Sequence, residues 1–156
     1  MLKGSDKPQD DQKQFLKAQM AFRLLGAIDG HAKNFSVFIT RGGGFHLTPL
    51  YDVLSTQPRL DDGTLRRTEM RMAMTVGNNL HYRIDEIVPR HFARSATKAG
   101  APPTLINEIR EELAASIPAA LDNLEQALPK DFPERLLASV SAGVRGRLPR
   151  LTTDRA

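Results

Sequence analysis

The 156-residue chain contains no cysteine, which excludes disulfides and thiolate metal sites. No apolar run approaches the roughly 20 residues of a membrane span. Met1 is followed by polar sequence rather than by a signal-peptide core, so the expected location is cytoplasmic, with no membrane partner. Aromatics make up 6% of the residues. Few of them stand among Arg59, Arg66, Arg67 and Arg71 or among Arg145, Arg147, Arg150 and Arg155, so no platform for stacking bases is visible. The formal net charge of +4 suits an anionic partner such as a nucleotide, an acidic protein or nucleic acid. The arginine clusters themselves read as solvated surface. His46, His81 and His91 lack metal-ligand spacing. The run Gly42-Gly43-Gly44 lacks a Gly-Lys-Ser/Thr ending and no helix follows it, which leaves a hairpin turn rather than a phosphate cradle.

What is present is 40% apolar and 26% charged, the balance of one globular domain over residues 1–156, with 1–9 and 151–156 as loose tails. Asp10 and Asp11 suit a helix start, and Phe15, Ala18, Phe22 and Leu25 then recur on one face. Residues 35–39 read as a strand paired with 45–48. Residues 56–68 read as an exposed loop, Met70, Met72, Met74 and Val76 alternate as a short strand against the core, and 77–79 turn the chain. Helices are expected from Asp85, from Pro89 to about Ala99, from a Thr104 cap with a break or kink at Pro118, and from Pro133 with Leu137, Val140, Val144 and Leu148 on one stripe. The fold class is mainly α: a helical bundle with a β-hairpin and a short extra strand near the N-terminal end.

Between the first helix and the first strand lies Asp29-Gly30-His31-Ala32-Lys33-Asn34. An Asp followed five residues later by an Asn is the spacing of a kinase catalytic loop, where the Asp accepts the proton of the substrate hydroxyl and the Asn holds Mg²⁺. After the hairpin comes Asp52, in the order expected of a second metal ligand. Asn34 and Asp52 offer the hard oxygens that Mg²⁺ takes. Asp29, His31 and Lys33 are the candidate catalytic residues, and Lys33, Asn34 and Asp52 the candidates for holding ATP and Mg²⁺. His31 has two readings, a hydrogen bond to Asp29 or phosphate and a structural imidazole. Lys33 has two as well, a phosphate partner and an exposed surface group. Ser36, Ser55 and Tyr51 read as structural, with the Tyr51 hydroxyl tied into the loop. Asp29, Asn34 and Asp52 are expected to converge on one pocket.

With its flanks, this loop resembles the HipA family of bacterial Ser/Thr kinases, toxins of toxin–antitoxin pairs. The likeness is carried by residues 29–36 and 47–55, and more weakly by 72–74, 85–87, 89–92 and 117–123. The resemblance implies a kinase C-lobe that transfers the γ-phosphoryl of ATP to a protein hydroxyl. It also implies a DNA-binding antitoxin partner of the HipB type, through which alone nucleic acid is reached. Neither a Gly-rich phosphate loop nor a Lys-bearing strand precedes Asp29, so the chain reads either as a fragment or split-gene product completed by a separate N-lobe chain, or as a decayed relative. Two other readings are a catalytically incomplete module that binds an antitoxin or other partner in transcriptional regulation, and a small-molecule kinase of the aminoglycoside type.

Overall fold

The computed structural model describes residues 2–78 and 81–153. Its first long helix, α1 (Pro8–Leu25), is the axis of the molecule. It packs against α3 (Pro89–Ala99), α4 (Thr104–Ala127), α5 (Glu134–Arg147) and strand β2 (Phe45–Leu47). β2 pairs antiparallel with β1 (Val37–Ile39), Val37 opposite Leu47 and Ile39 opposite Phe45, so the expected hairpin is present. A second antiparallel pair joins β3 (Arg71–Val76) to β4 (His81–Arg83). Two short helices, α2 (Gln57–Asp61) and α6 (Pro149–Thr152), complete the set. The chain is thus mainly helical with two small sheets, and no helix of the described residues is long and apolar enough to cross a membrane.

The core collects Leu16, Met20, Phe22 and Leu24 of α1 with Met70, Met72 and Val76, Phe92 of α3, and Ile106 and Ile109 of α4. Each such side chain stabilises the fold by roughly 1.5–3 kcal/mol on burial. Met70, Met72 and Val76 of the alternating stripe are therefore core, whereas Met74 is only half-buried and lines a cavity. Pro118 sits inside α4 without ending it.

Several local expectations are corrected. Residues 2–9 are not a featureless lead-in: Leu2–Gly4 is a 3-10 turn and α1 starts at Pro8 rather than at Asp10. Leu151, placed in the other tail, is 1% exposed; residues 154–156, with Arg155, lie outside the described residues, as does Asn79 of the expected turn. The 56–68 loop contains α2 and a 3-10 turn at Arg67–Glu69. Asp85 and Thr104 make no capping bond. Asp85 instead receives Arg67 Nε at 2.7 Å and faces Arg150 at 3.8 Å, a use of its charge that a cap would not allow.

Arg23 lies on the buried side of α1, 1% exposed. Its Nε donates to Ile87 O at 2.9 Å. Burial, with Arg147 and Arg150 nearby, lowers its pKa to about 10 while Asp85 opposes the shift, so the side chain stays charged at neutral pH.

His91, in the first turn of α3, accepts the Val88 N–H on Nδ1 at 3.4 Å and stacks on His81 with ring centroids 3.6 Å apart. Burial, then the charges of His81, Arg90 and Arg94, push its pKa down to about 4. The unfolded chain protonates this imidazole near pH 6.5, whereas the folded chain refuses the proton until about pH 4. Stability is therefore expected to fall as pH drops through that window, by as much as about 3 kcal/mol from this group. Denaturant midpoints at pH 7 and pH 4.5 measure it. His91→Gln, which keeps an acceptor for Val88, should show a smaller drop than wild type; equal drops would remove His91 as the cause.

Candidate active site

The site begins where α1 stops. Gly26 takes the left-handed conformation (φ 68°) that closes a helix, a geometry that glycine adopts without strain. A helix end leaves carbonyls without internal partners. Here three successive ones are filled from distant segments. Arg147 Nε donates to Leu24 O at 2.7 Å and Ser55 Oγ to Leu25 O at 2.5 Å. Gly26 O receives both Thr56 Oγ1 at 2.7 Å and Thr56 N at 3.1 Å. The segment just after Asp52 is thereby fastened to the segment just before Asp29. Ser55 is structural, as expected, and its work is to hold two loops together at their base.

Past Gly26 the loop folds on itself. The His31 N–H reaches Asp29 O at 2.9 Å and Asn34 Oδ1 at 3.1 Å, and Asn34 N–H returns to His31 O at 3.0 Å. A 3-10 turn over Ala32–Asn34 results. Phe35 anchors it from below, its ring 4.9 Å from Phe15 and 6.0 Å from Phe22. Tyr51 ties the loop from the other side: its hydroxyl lies 2.8 Å from Ser36 Oγ and donates to Lys33 O at 3.3 Å. The hairpin between the two loops is held to α1 by Asp11, whose buried carboxylate accepts Leu47 N–H on both oxygens at 3.2 Å.

These ties bring Asn34 and Asp52 together: Asn34 Nδ2 lies 3.5 Å from Asp52 Oδ2. Asp52 has φ 54°, the one positive φ outside glycine among the described residues. Such strain persists where surrounding contacts hold it, here Tyr51 on one side and Ser55 and Thr56 on the other. Asp29 faces His31, with Oδ1 3.0 Å from Nε2, which favours the hydrogen-bonding reading of the imidazole. Lys33 is exposed on the turn.

Asp29, Lys33 and Asp52 are each exposed, with the Asp29 side chain 81% exposed. Phe38 and Ile39 of β1 and Leu50, Tyr51 and Leu54 on either side of Asp52 in the chain are large side chains left in solvent. Among the described residues no group of three or more His, Cys, Asp or Glu is placed to hold a metal. One carboxylate and one amide is a sparse set that fits Mg²⁺, which keeps several waters, once the Asn34 amide, whose Nδ2 now faces Asp52, turns its oxygen to the cation. The Asn34 amide oxygen carries one hydrogen bond, from His31, and retains a lone pair for a cation.

Asp11, Thr56 and Arg147 escape a reading of local sequence. Asp10 and Asp11 together look like the start of a helix, and nothing near Arg147 distinguishes it from the other arginines of α5 and α6.

Residues 1–121 match the model of the family described as the HipA-like C-terminal domain. Among solved structures, a chain of the Shewanella oneidensis MR-1 toxin–antitoxin complex of HipA, HipB and its operator DNA superposes with a TM-score of 0.79 at 22% sequence identity. The match covers 97% of this chain and 34% of that one, so the chain spans about a third of its neighbour's length.

Proposed function

Since the chain belongs to the HipA-like C-terminal domain family, we propose that it is the catalytic lobe of a Ser/Thr protein kinase, acting on a protein hydroxyl with ATP and Mg²⁺. The observation that carries this reading is the approach of Asn34 to Asp52 across the hairpin, beside a loop that also bears Asp29. The chemistry that Mg²⁺ would supply when bound is positive charge against the phosphates. The protein's part is positional. Asn34 and Asp52 hold the cation, and Asp29 accepts or orients the hydroxyl proton, with His31 fixing its carboxylate. Lys33 stands where its ammonium meets phosphate charge.

The loop that covers the phosphates and its Lys are assigned to an N-lobe outside this chain. The exposure of the large apolar side chains Phe38, Ile39 and Leu54 supports a covering partner, since exposed apolar surface marks contact sites. The partner read for the whole protein is a DNA-binding antitoxin of the HipB type, as in the neighbour's complex, with nucleic acid reached through it.

The test is titration calorimetry with ATP, in Mg²⁺ and in EDTA, on the chain supplied with an N-lobe. Asn34→Ala and Asp52→Ala are expected to weaken Mg²⁺-dependent binding by roughly tenfold or more, without changing what remains in EDTA. Full Mg²⁺-dependent affinity in both variants would remove these residues from the metal site.

A further inference from the structure

Gln57 opens α2 and is 8% exposed, a depth at which amide side chains are seldom found. Its Oε1 accepts a hydrogen bond from Arg147 Nη1 at 2.6 Å, and its Nε2 donates to Asp61 Oδ1 at 2.7 Å. The other oxygen of that carboxylate accepts Ser139 Oγ at 2.6 Å, so a continuous polar line joins α2 to α5. Arg147 carries the line on to Leu24 O through Nε. Leu24 stands five residues before Asp29, and Gln57 five after Asp52. One guanidinium thus bridges the bases of both loops. Its Nη2 is buried without a hydrogen-bond partner among the described residues. Buried polar groups nearly always have a partner, so the exception asks for a role.

Gly143 on α5 makes the contact possible. A Cβ there would lie 2.5 Å from Gln57 Oε1 and 2.7 Å from Arg147 Nη2. A glycine inside a helix weakens it relative to alanine, so helix strength is given up at the point where the two side chains meet. Gly146, on the same helix, has nothing within 4 Å of the corresponding position. We infer that Gln57 and Arg147 are positioning residues for phosphoryl transfer, which together hold the segment bearing Asp52 against the segment bearing Asp29 without touching either carboxylate. The path runs through Ser55, whose hydroxyl accepts Gln57 N–H at 3.2 Å and donates to Leu25 O. The role rests on the kinase reading of Asp29, Asn34 and Asp52. Gly143 and Arg147 lie beyond residues 1–121, outside the part that the family model matches.

The experiment compares Gly143→Ala and Arg147→Lys with Gly146→Ala as the control. Arg147→Lys keeps the charge and adds no bulk, but one ammonium cannot reproduce the fork that reaches Leu24 O and Gln57 Oε1 together. In the ¹⁵N-labelled chain alone, the amide signals of His31, Asn34 and Val53 are expected to move in the first two variants and to stay in place in the control. With an N-lobe supplied, the Mg²⁺ concentration for half-maximal phosphoryl transfer should rise roughly tenfold, as when a support behind a metal ligand is lost. A protein that is merely less folded loses rate without a change in that concentration. Gly146→Ala should match wild type in both measurements. Loop signals that do not move, equal movement in Gly146→Ala, or an unchanged Mg²⁺ requirement in active protein each overturn the inference. If Gly143→Ala does not fold, Arg147→Lys decides. A wild type that transfers no phosphate refutes the kinase reading instead, and the amide signals then decide whether the two loops are linked through Arg147.

Discussion

Asp29→Asn is expected to lower phosphoryl transfer by roughly a hundredfold or more, the usual worth of a positioned general base, with no change in melting temperature. The side chain is exposed and touches His31 Nε2 at 3.0 Å. Asparagine has the same shape and offers an amide oxygen to the same nitrogen, so the loop keeps its geometry. What disappears is the negative charge and the ability to take a proton. Incorporation of radiolabelled phosphate, measured beside a thermal melt on the chain completed with an N-lobe, separates the two properties. Wild-type incorporation by the variant would refute the role assigned to Asp29.

Gly30→Ala should impair both stability and catalysis, for a steric reason. A Cβ on Gly30 would stand 2.4 and 2.6 Å from two Phe22 ring carbons. Phe22 is in the close-packed core and its ring also meets Phe35, so it has little room to retreat. The loop must lift instead, at an overpacking cost of about 1–3 kcal/mol. Asp29 and His31 flank the lifted residue, and a displacement of about 1 Å near reacting groups can lower a rate a hundredfold. The assay is run at a temperature where wild type and variant are both folded. Phe22→Leu in the Gly30→Ala background vacates space and should recover part of the rate. A Gly30→Ala protein as stable and active as wild type would show that the loop does not rest on this ring.

The parts of the molecule legible in sequence are those whose causes are local. Apolar and β-branched residues at 35–39 and 45–48 announce β1 and β2, and Pro89 announces the start of α3. The order Asp29, Asn34, Asp52 could be read because loop chemistry follows chain order. Strand β4 was missed because three residues with two basic side chains show no alternation. Helix α2 hid in a segment whose Pro58, Asp61, Asp62 and Gly63 suggest a loop. The buried charges were illegible for a different reason. Asp11 serves an amide 36 residues away and Arg23 a carbonyl 64 residues away. Charged residues are seldom buried, so sequence alone places them outside.

The fastening of the α1 end has a consequence in time. Leu24 and Arg147 stand 123 residues apart along the chain. Synthesis runs from the N-terminus, so Asp29, Asn34 and Asp52 all leave the ribosome long before the guanidinium that closes the helix beneath them. Throughout that interval the Leu24 carbonyl has no Arg147 to receive, and the loop stands on an unfinished base. Ser55 and Thr56 reach their carbonyls over a span of only 30 residues and can act early. The two loops can thus be joined to each other before α5 exists, whereas the finished base of the site waits until Arg147 has emerged.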